Sequence, residues 1–144
     1  MMKPVFFLLI TAFLLNACRP SANDLPARVL HPHEELPAGV DEKGYTSVLY
    51  NPRQEDWHPE REGEMDYQVN WELDHLQRAD FILMNFLPGS QSPITLLELG
   101  LFAGSRKLRV ICPASFYRYD NVRITCQRYA VPMYETLKEA VESL

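Results

Sequence analysis

The segment that most constrains this chain is Phe81-Ile82-Leu83-Met84-Asn85-Phe86-Leu87, an almost unbroken apolar run between Asp80 and Pro88-Gly89. A strand with one wet face would alternate polar and apolar residues. A continuous run stopped by Pro-Gly instead predicts a strand buried on both faces, as in a parallel sheet covered by helices. Helix signals flank it. Tyr67 and Trp71 recur at helical spacing over Glu64 to Ala79, with Val69, Leu73 and Leu76 one turn over. Ser92-Pro93 reads as a cap followed by proline at the first helical position, with a helix from Ile94 to Ala103 ended by Gly104.

The remaining elements alternate in the same way. Ala27 to His31 and Tyr45 to Tyr50 are strand-like, and Asn51-Pro52 stops the second; Arg109 to Cys112 is a short buried strand stopped by Pro113. Asp120 or Asn121 is expected to cap a helix through Tyr129. Val131 to Tyr134 is a last, edge-like strand, and Thr136 to Leu144 a closing amphipathic helix. Strands alternating with helices predict an α/β fold with a mostly parallel sheet, whose ligand crevice lies at the carboxyl ends of the strands. That places Asn85 to Ser92 and the following helical turns at the expected site.

The first seventeen residues read as an address. Lys3 is followed by an uncharged run from Pro4 to Leu15, too short to span a bilayer and suited to the apolar region of a secretory leader. Leu15-Asn16-Ala17-Cys18 resembles the lipobox of bacterial lipoproteins, which implies cleavage before Cys18 and acylation of its thiol. Several acyl chains on one cysteine give firm anchoring. Arg19 rather than Asp after the cysteine implies outer-membrane sorting, facing the periplasm. The expected organisation is leader 1–17, tether 18–26 and one domain 27–144. Cys112 and Cys126 then meet an oxidising compartment, either as a disulfide or as two buried thiols.

Composition removes other classes. Fourteen Lys and Arg against nineteen Asp and Glu give a net charge of −5, with no basic excess to neutralise nucleic-acid phosphates. His31, His33, Glu34, Glu35 and His58 lack metal-ligand spacing and read as solvated loop; no metal or cofactor is expected. Phe116-Tyr117-Arg118-Tyr119 is an aromatic and basic patch that suits either base stacking or a half-buried loop.

Glu98 is the residue with chemical content. Between Pro93 and Gly104 only Thr95 and Glu98 are polar. A helix apolar nearly all round is mostly buried, and a buried carboxylate either takes a cationic partner (Arg106, Arg109 or Arg123) or serves a site.

Ala79-Asp80-Phe81-Ile82-Leu83-Met84-Asn85-Phe86 followed by Ile94-Thr95-Leu96-Leu97-Glu98-Leu99-Gly100 resembles the nucleoside 2-deoxyribosyltransferase-like family. Three further stretches match in order: Asn51-Pro52-Arg53, Gln68-Val69-Asn70-Trp71-Glu72, and Arg118 through Cys126. The resemblance spans Tyr45 to Leu144. It implies a flavodoxin-like three-layer α/β sandwich, here without the usual first strand–helix unit. It also implies Glu98 as a nucleophile at C1′ of a nucleoside or nucleotide-like molecule, with Asn85, Asn51, Arg53 and Trp71 as pocket or packing residues. Asn85 stands near where the transferases carry an acid. Two functions follow: cleavage or transfer at an N-glycosidic bond, or binding by an inactive envelope lipoprotein. A homo-oligomer is a further implication.

Overall fold

The computed structural model describes residues 5–10, 27–30, 47–53 and 57–143. Cys18 and the His31–Glu35 cluster lie outside them. The chain divides into two compact units, one reaching to Asp80 and one formed chiefly by Phe81–Leu144.

In the first unit, strand β1 (Val5–Ile10) pairs parallel with β3 (Ser47–Tyr50), matching Val5 with Val48 and Phe7 with Tyr50. Strand β2 (Ala27–Leu30) pairs parallel with β3 from Ala27 opposite Ser47 to Leu30 opposite Tyr50. Strand β1 lies within the run expected to serve as a leader. An uncharged stretch of Val, Phe, Leu and Ile has the composition of a leader's apolar region and of a strand alike.

Helix α1 (Glu64–Arg78) follows, with Glu64 and Asp66 in its first turn and His75 and Arg78 in its last. That arrangement complements the helix macrodipole at both ends. Its buried positions are Gln68, Trp71 and Leu76. Trp71 stacks on His75 at 4.0 Å between ring centres, and Tyr50 meets both rings edge-on, at 6.0 and 4.2 Å. The aromatic cluster ties β3 to α1.

The second unit is a three-strand, all-parallel open sheet with helices, consistent with a flavodoxin-like sandwich. Strand β4 (Phe81–Asn85) pairs with β5 (Leu108–Ile111), and β5 with β6 (Met133–Tyr134). Ile82, Leu83 and Met84 are all buried, as the continuous apolar run requires. Helix α2 (Pro93–Phe102) runs into a 3-10 turn at Ala103–Ser105. Helices α3 (Tyr119–Tyr129) and α4 (Leu137–Glu142) complete the unit. Thr136 opens α4 with a reciprocal capping box: its Oγ1 accepts from the Glu139 amide at 3.2 Å, and Glu139 Oε2 accepts from the Thr136 amide at 3.1 Å.

Two expected caps fail. Ser92 holds the position before α2 but takes a left-handed backbone, φ +48°, where an N-cap needs an extended one. Its hydroxyl bonds Ser90 Oγ at 2.7 Å instead. Helix α3 starts one residue before Asp120, which falls in the first turn, favours the helix dipole there, and binds Arg123 at 3.1 Å.

Of the two alternatives for Cys112 and Cys126, the structure holds two free, buried thiols. Burial, with the Cys126 thiol adding to it, pushes Cys112 up to about 12; burial alone pushes Cys126 to about 11. Both lie above the ordinary thiol value of 9.0. The unfolded chain therefore ionises first as pH rises, and the stability these thiols contribute below pH 9 is lost between there and their folded values. The wild type is expected to lose stability over that window faster than a Cys112→Ala/Cys126→Ala variant, by urea denaturation at stepped pH. Alkylation at pH 8 should be slow until the chain is unfolded.

Candidate functional site

Two loops at the carboxyl ends of β4 and β5 form the floor of the expected crevice. The first, Phe86 to Ser92, continues the sheet for one more bond, from the Phe86 amide to Ile111 O at 2.8 Å. It then turns at Gly89, whose φ of +76° is open to glycine at no steric cost. Ser90 fixes the turn through its hydroxyl, which donates to Leu87 O at 2.9 Å. The second loop turns from Pro113, whose carbonyl accepts the Phe116 amide at 2.9 Å.

Two contacts join the loops. Buried Phe86 and Phe116 pack at 4.9 Å, and the Tyr117 hydroxyl donates to Gln91 O at 3.0 Å. The aromatic and basic patch thus divides its work. Phe116 is core, Tyr117 is an exposed strut, and the Arg118 guanidinium lies 5.2 Å from the Tyr117 ring centre.

Helix α2 rises directly from the first loop, its first bond running from the Leu96 amide to Ser92 O at 3.0 Å. Glu98 is 2% exposed and Thr95 0%. Three residues apart, they share one helical face, and that face is turned into the protein. Thr95 Oγ1 is buried without a hydrogen-bond partner among the described residues. Such a group is unusual in native proteins and marks a place where a polar atom is expected to be supplied.

Two of the arginines considered as partners for Glu98 make other contacts. Arg123 binds Asp120 and Gln127, at 3.1 Å each. Arg109 donates to Leu108 O at 3.0 Å and lies 5.2 Å from the Phe81 ring centre. Asn85 closes β4, half-buried, at the start of the first loop.

The other expected pocket residues belong to the first unit. Asn51 Oδ1 accepts from the Arg53 amide at 3.1 Å, a local turn that leaves the Arg53 side chain exposed. Trp71 is 7% exposed and is a packing residue of the aromatic cluster.

Sequence reasoning missed Gln68 and Glu72. Gln68 is buried, donates to Pro52 O at 2.8 Å, and donates also to Glu72 Oε1, so one amide clamps the Asn51–Arg53 loop to α1. Burial raises the Glu72 carboxyl above its ordinary value, and the Gln68 bond offsets part of that rise. The available signal was a Gln and a Glu at i and i+4 beside a buried Trp.

A raised carboxyl favours the folded state most below the unfolded value of 4.5, and that advantage is lost as pH rises through the folded value. Glu72→Gln should therefore gain stability over the wild type at pH 7 and lose most of that gain at pH 4, measured by chemical denaturation. Trp71→Ala is expected to cost ~3–5 kcal/mol in the same measurement, the scale for emptying an aromatic core position.

No curated protein matches the chain. A family model described as nucleoside 2-deoxyribosyltransferase like matches residues 28–116. It begins inside β2 and ends at Phe116, covering both loops' anchor points and all of α2, and stopping short of the Arg118–Cys126 stretch. With more than half of its residues matched, the chain belongs to the nucleoside 2-deoxyribosyltransferase-like family.

Proposed function

We propose that this chain cleaves or transfers at the N-glycosidic bond of a nucleoside, with Glu98 as the attacking carboxylate. The observation that carries the reading is the burial of Glu98 on α2, the helix that leaves the strand-end loop, beside a threonine hydroxyl with an open bonding capacity. A carboxylate attacks C1′ as the base departs with the electron pair of the C1′–N bond. The resulting sugar ester on Glu98 is then broken by water, giving the free sugar, or by a second base, giving a new nucleoside. The departing base takes its proton from solvent, because the Asn85 amide is no acid.

Asn85 also favours a second reading, in which the fold is kept for nucleoside binding without chemistry. We further propose that the chain is a lipoprotein of the cell envelope, anchored through acylated Cys18 on the periplasmic face of the outer membrane. The Leu15–Cys18 motif supports that placement. Among the described residues no helix is long and apolar enough to cross a membrane.

The test is incubation of the full chain in detergent micelles with a panel of deoxynucleosides, followed by chromatography for free base. Glu98→Ala is expected to lower release by ~10³-fold or more, the scale for loss of a covalent nucleophile. Its melting temperature should stay level or rise, because a buried carboxylate is removed. Binding of a labelled nucleoside without base release, with Glu98→Ala merely less stable, would select the binding reading. Intact mass spectrometry of chain purified from membranes should show acyl chains on Cys18.

A further inference from the structure

A surface helix ordinarily turns its polar residues to water and its apolar residues inward. Helix α2 does the reverse. Its two polar residues, Thr95 and Glu98, are 0% and 2% exposed, whereas Ile94, Leu97 and Leu101 form an outward stripe and are 54%, 59% and 60% exposed. Burying a carboxylate in this way has a chemical reason if Glu98 is the attacking group. Burying the Thr95 hydroxyl beside it has none so far.

A threonine inside a helix ordinarily bonds its hydroxyl to the carbonyl three or four residues back. For Thr95 those carbonyls belong to Ser92 and Gln91, and they accept from the Leu96 amide and the Tyr117 hydroxyl, at 3.0 Å each. The Thr95 side chain bonds neither, since its Oγ1 has no hydrogen-bond partner among the described residues. A valine would have the same shape and no stranded hydroxyl. The hydroxyl is thus polarity that the fold itself does not use.

Glu98 stands one turn further along the same inward face, and side chains so spaced have Cβ atoms ~5–6 Å apart. A sugar that reaches the carboxylate therefore comes within reach of the hydroxyl. Stereochemistry says which sugar atom is nearest. Displacement at C1′ brings the carboxylate to the ring face opposite the base. In a β-D-ribonucleoside the 2′-hydroxyl lies on that same face, on the carbon next to the one attacked.

We propose that Thr95 is a specificity-determining residue that binds the 2′-hydroxyl, and that the substrate class of this site is a ribonucleoside rather than a 2′-deoxynucleoside. This rests on Glu98 as the attacking group and names the sugar on which it acts. A 2′-deoxy sugar would set a methylene against Thr95 and leave its hydroxyl buried and unmet. A site holding a buried polar group for a substrate hydroxyl rejects the analogue that lacks it, because the group is then left unpaired. Hydrogen bonds to the hydroxyl beside the reacting carbon also strengthen as positive charge develops on the sugar, so the preference enters the chemical step as well as binding.

The full chain in detergent micelles is incubated with adenosine, cytidine, guanosine and uridine, each also in its 2′-deoxy and 3′-deoxy form. Free base is followed by chromatography and binding by equilibrium dialysis. The wild type is expected to favour the ribonucleoside over its 2′-deoxy form by ~10²-fold in kcat/KM. Thr95→Val should reduce that preference to ~3-fold or less, and Thr95→Ser, which keeps a hydroxyl, should restore most of it. The melting temperature of Thr95→Val should hold or rise, because a buried unmet hydroxyl is removed. A wild type that treats the two sugars alike, an equal loss on both in Thr95→Val, or a preference that follows the 3′-hydroxyl would overturn the proposal. Release of base from none of the nucleosides would end the Glu98 reading, and dialysis then decides for Thr95 separately. Tighter binding of the ribonucleoside that Thr95→Val abolishes would uphold the contact; binding without that preference, or no binding, would overturn it.

Discussion

A carboxylate and a hydroxyl held inside the protein on one face of an apolar helix set the terms for the rest of the second unit. Burying Glu98 removes it from water, and its surroundings must compensate for the lost hydration. The helix can hold that orientation because its other residues are Pro, Ile, Leu, Gly and Phe, none of which has a polar side chain that must face water. Burying the polar pair inward necessarily leaves leucines outside. The site and the exposed apolar stripe are two results of one rotation of α2 about its axis.

The loops at the strand ends are stiffened by elementary means. A sheet bond extended past the end of β4, a Phe–Phe contact and a single tyrosine hydroxyl fasten the loop after β4 to the loop after β5. None of these groups is a candidate for chemistry. Their part is to fix where α2 starts, and through that the height at which Glu98 lies along the unit. In the first unit the same economy appears in Gln68, whose one amide group holds a loop carbonyl and a carboxylate together.

Helical spacing made α1 legible, an unbroken apolar run β4, and start and stop residues α2 and α3, each within a residue or two. Glu98 and Thr95 stood out as polar residues against an apolar background. What the sequence did not reveal depends on rotation and on backbone angle. In a helix apolar on every side, no pattern says which face is buried, so the outward stripe of Leu97 and Leu101 was invisible. Ser92 and Asp120 have capping chemistry, but the left-handed turn at Ser92 and the start of α3 at Tyr119 place their side chains elsewhere. The Val5–Ile10 run was ambiguous in principle, since export signals and strands use the same residues. The clamp by Gln68 joins positions sixteen apart through a backbone carbonyl, and a backbone carbonyl leaves no mark in a sequence.

The two thiols impose an order of events on the chain's biogenesis. Thiol–disulfide exchange proceeds through a thiolate that its oxidant can reach. Once the second unit has closed, Cys112 and Cys126 offer neither the ionised form nor access, with values pushed to about 12 and about 11. Both thiols are consequently most open to oxidation before the unit closes, and the finished fold shields the free thiols it buries.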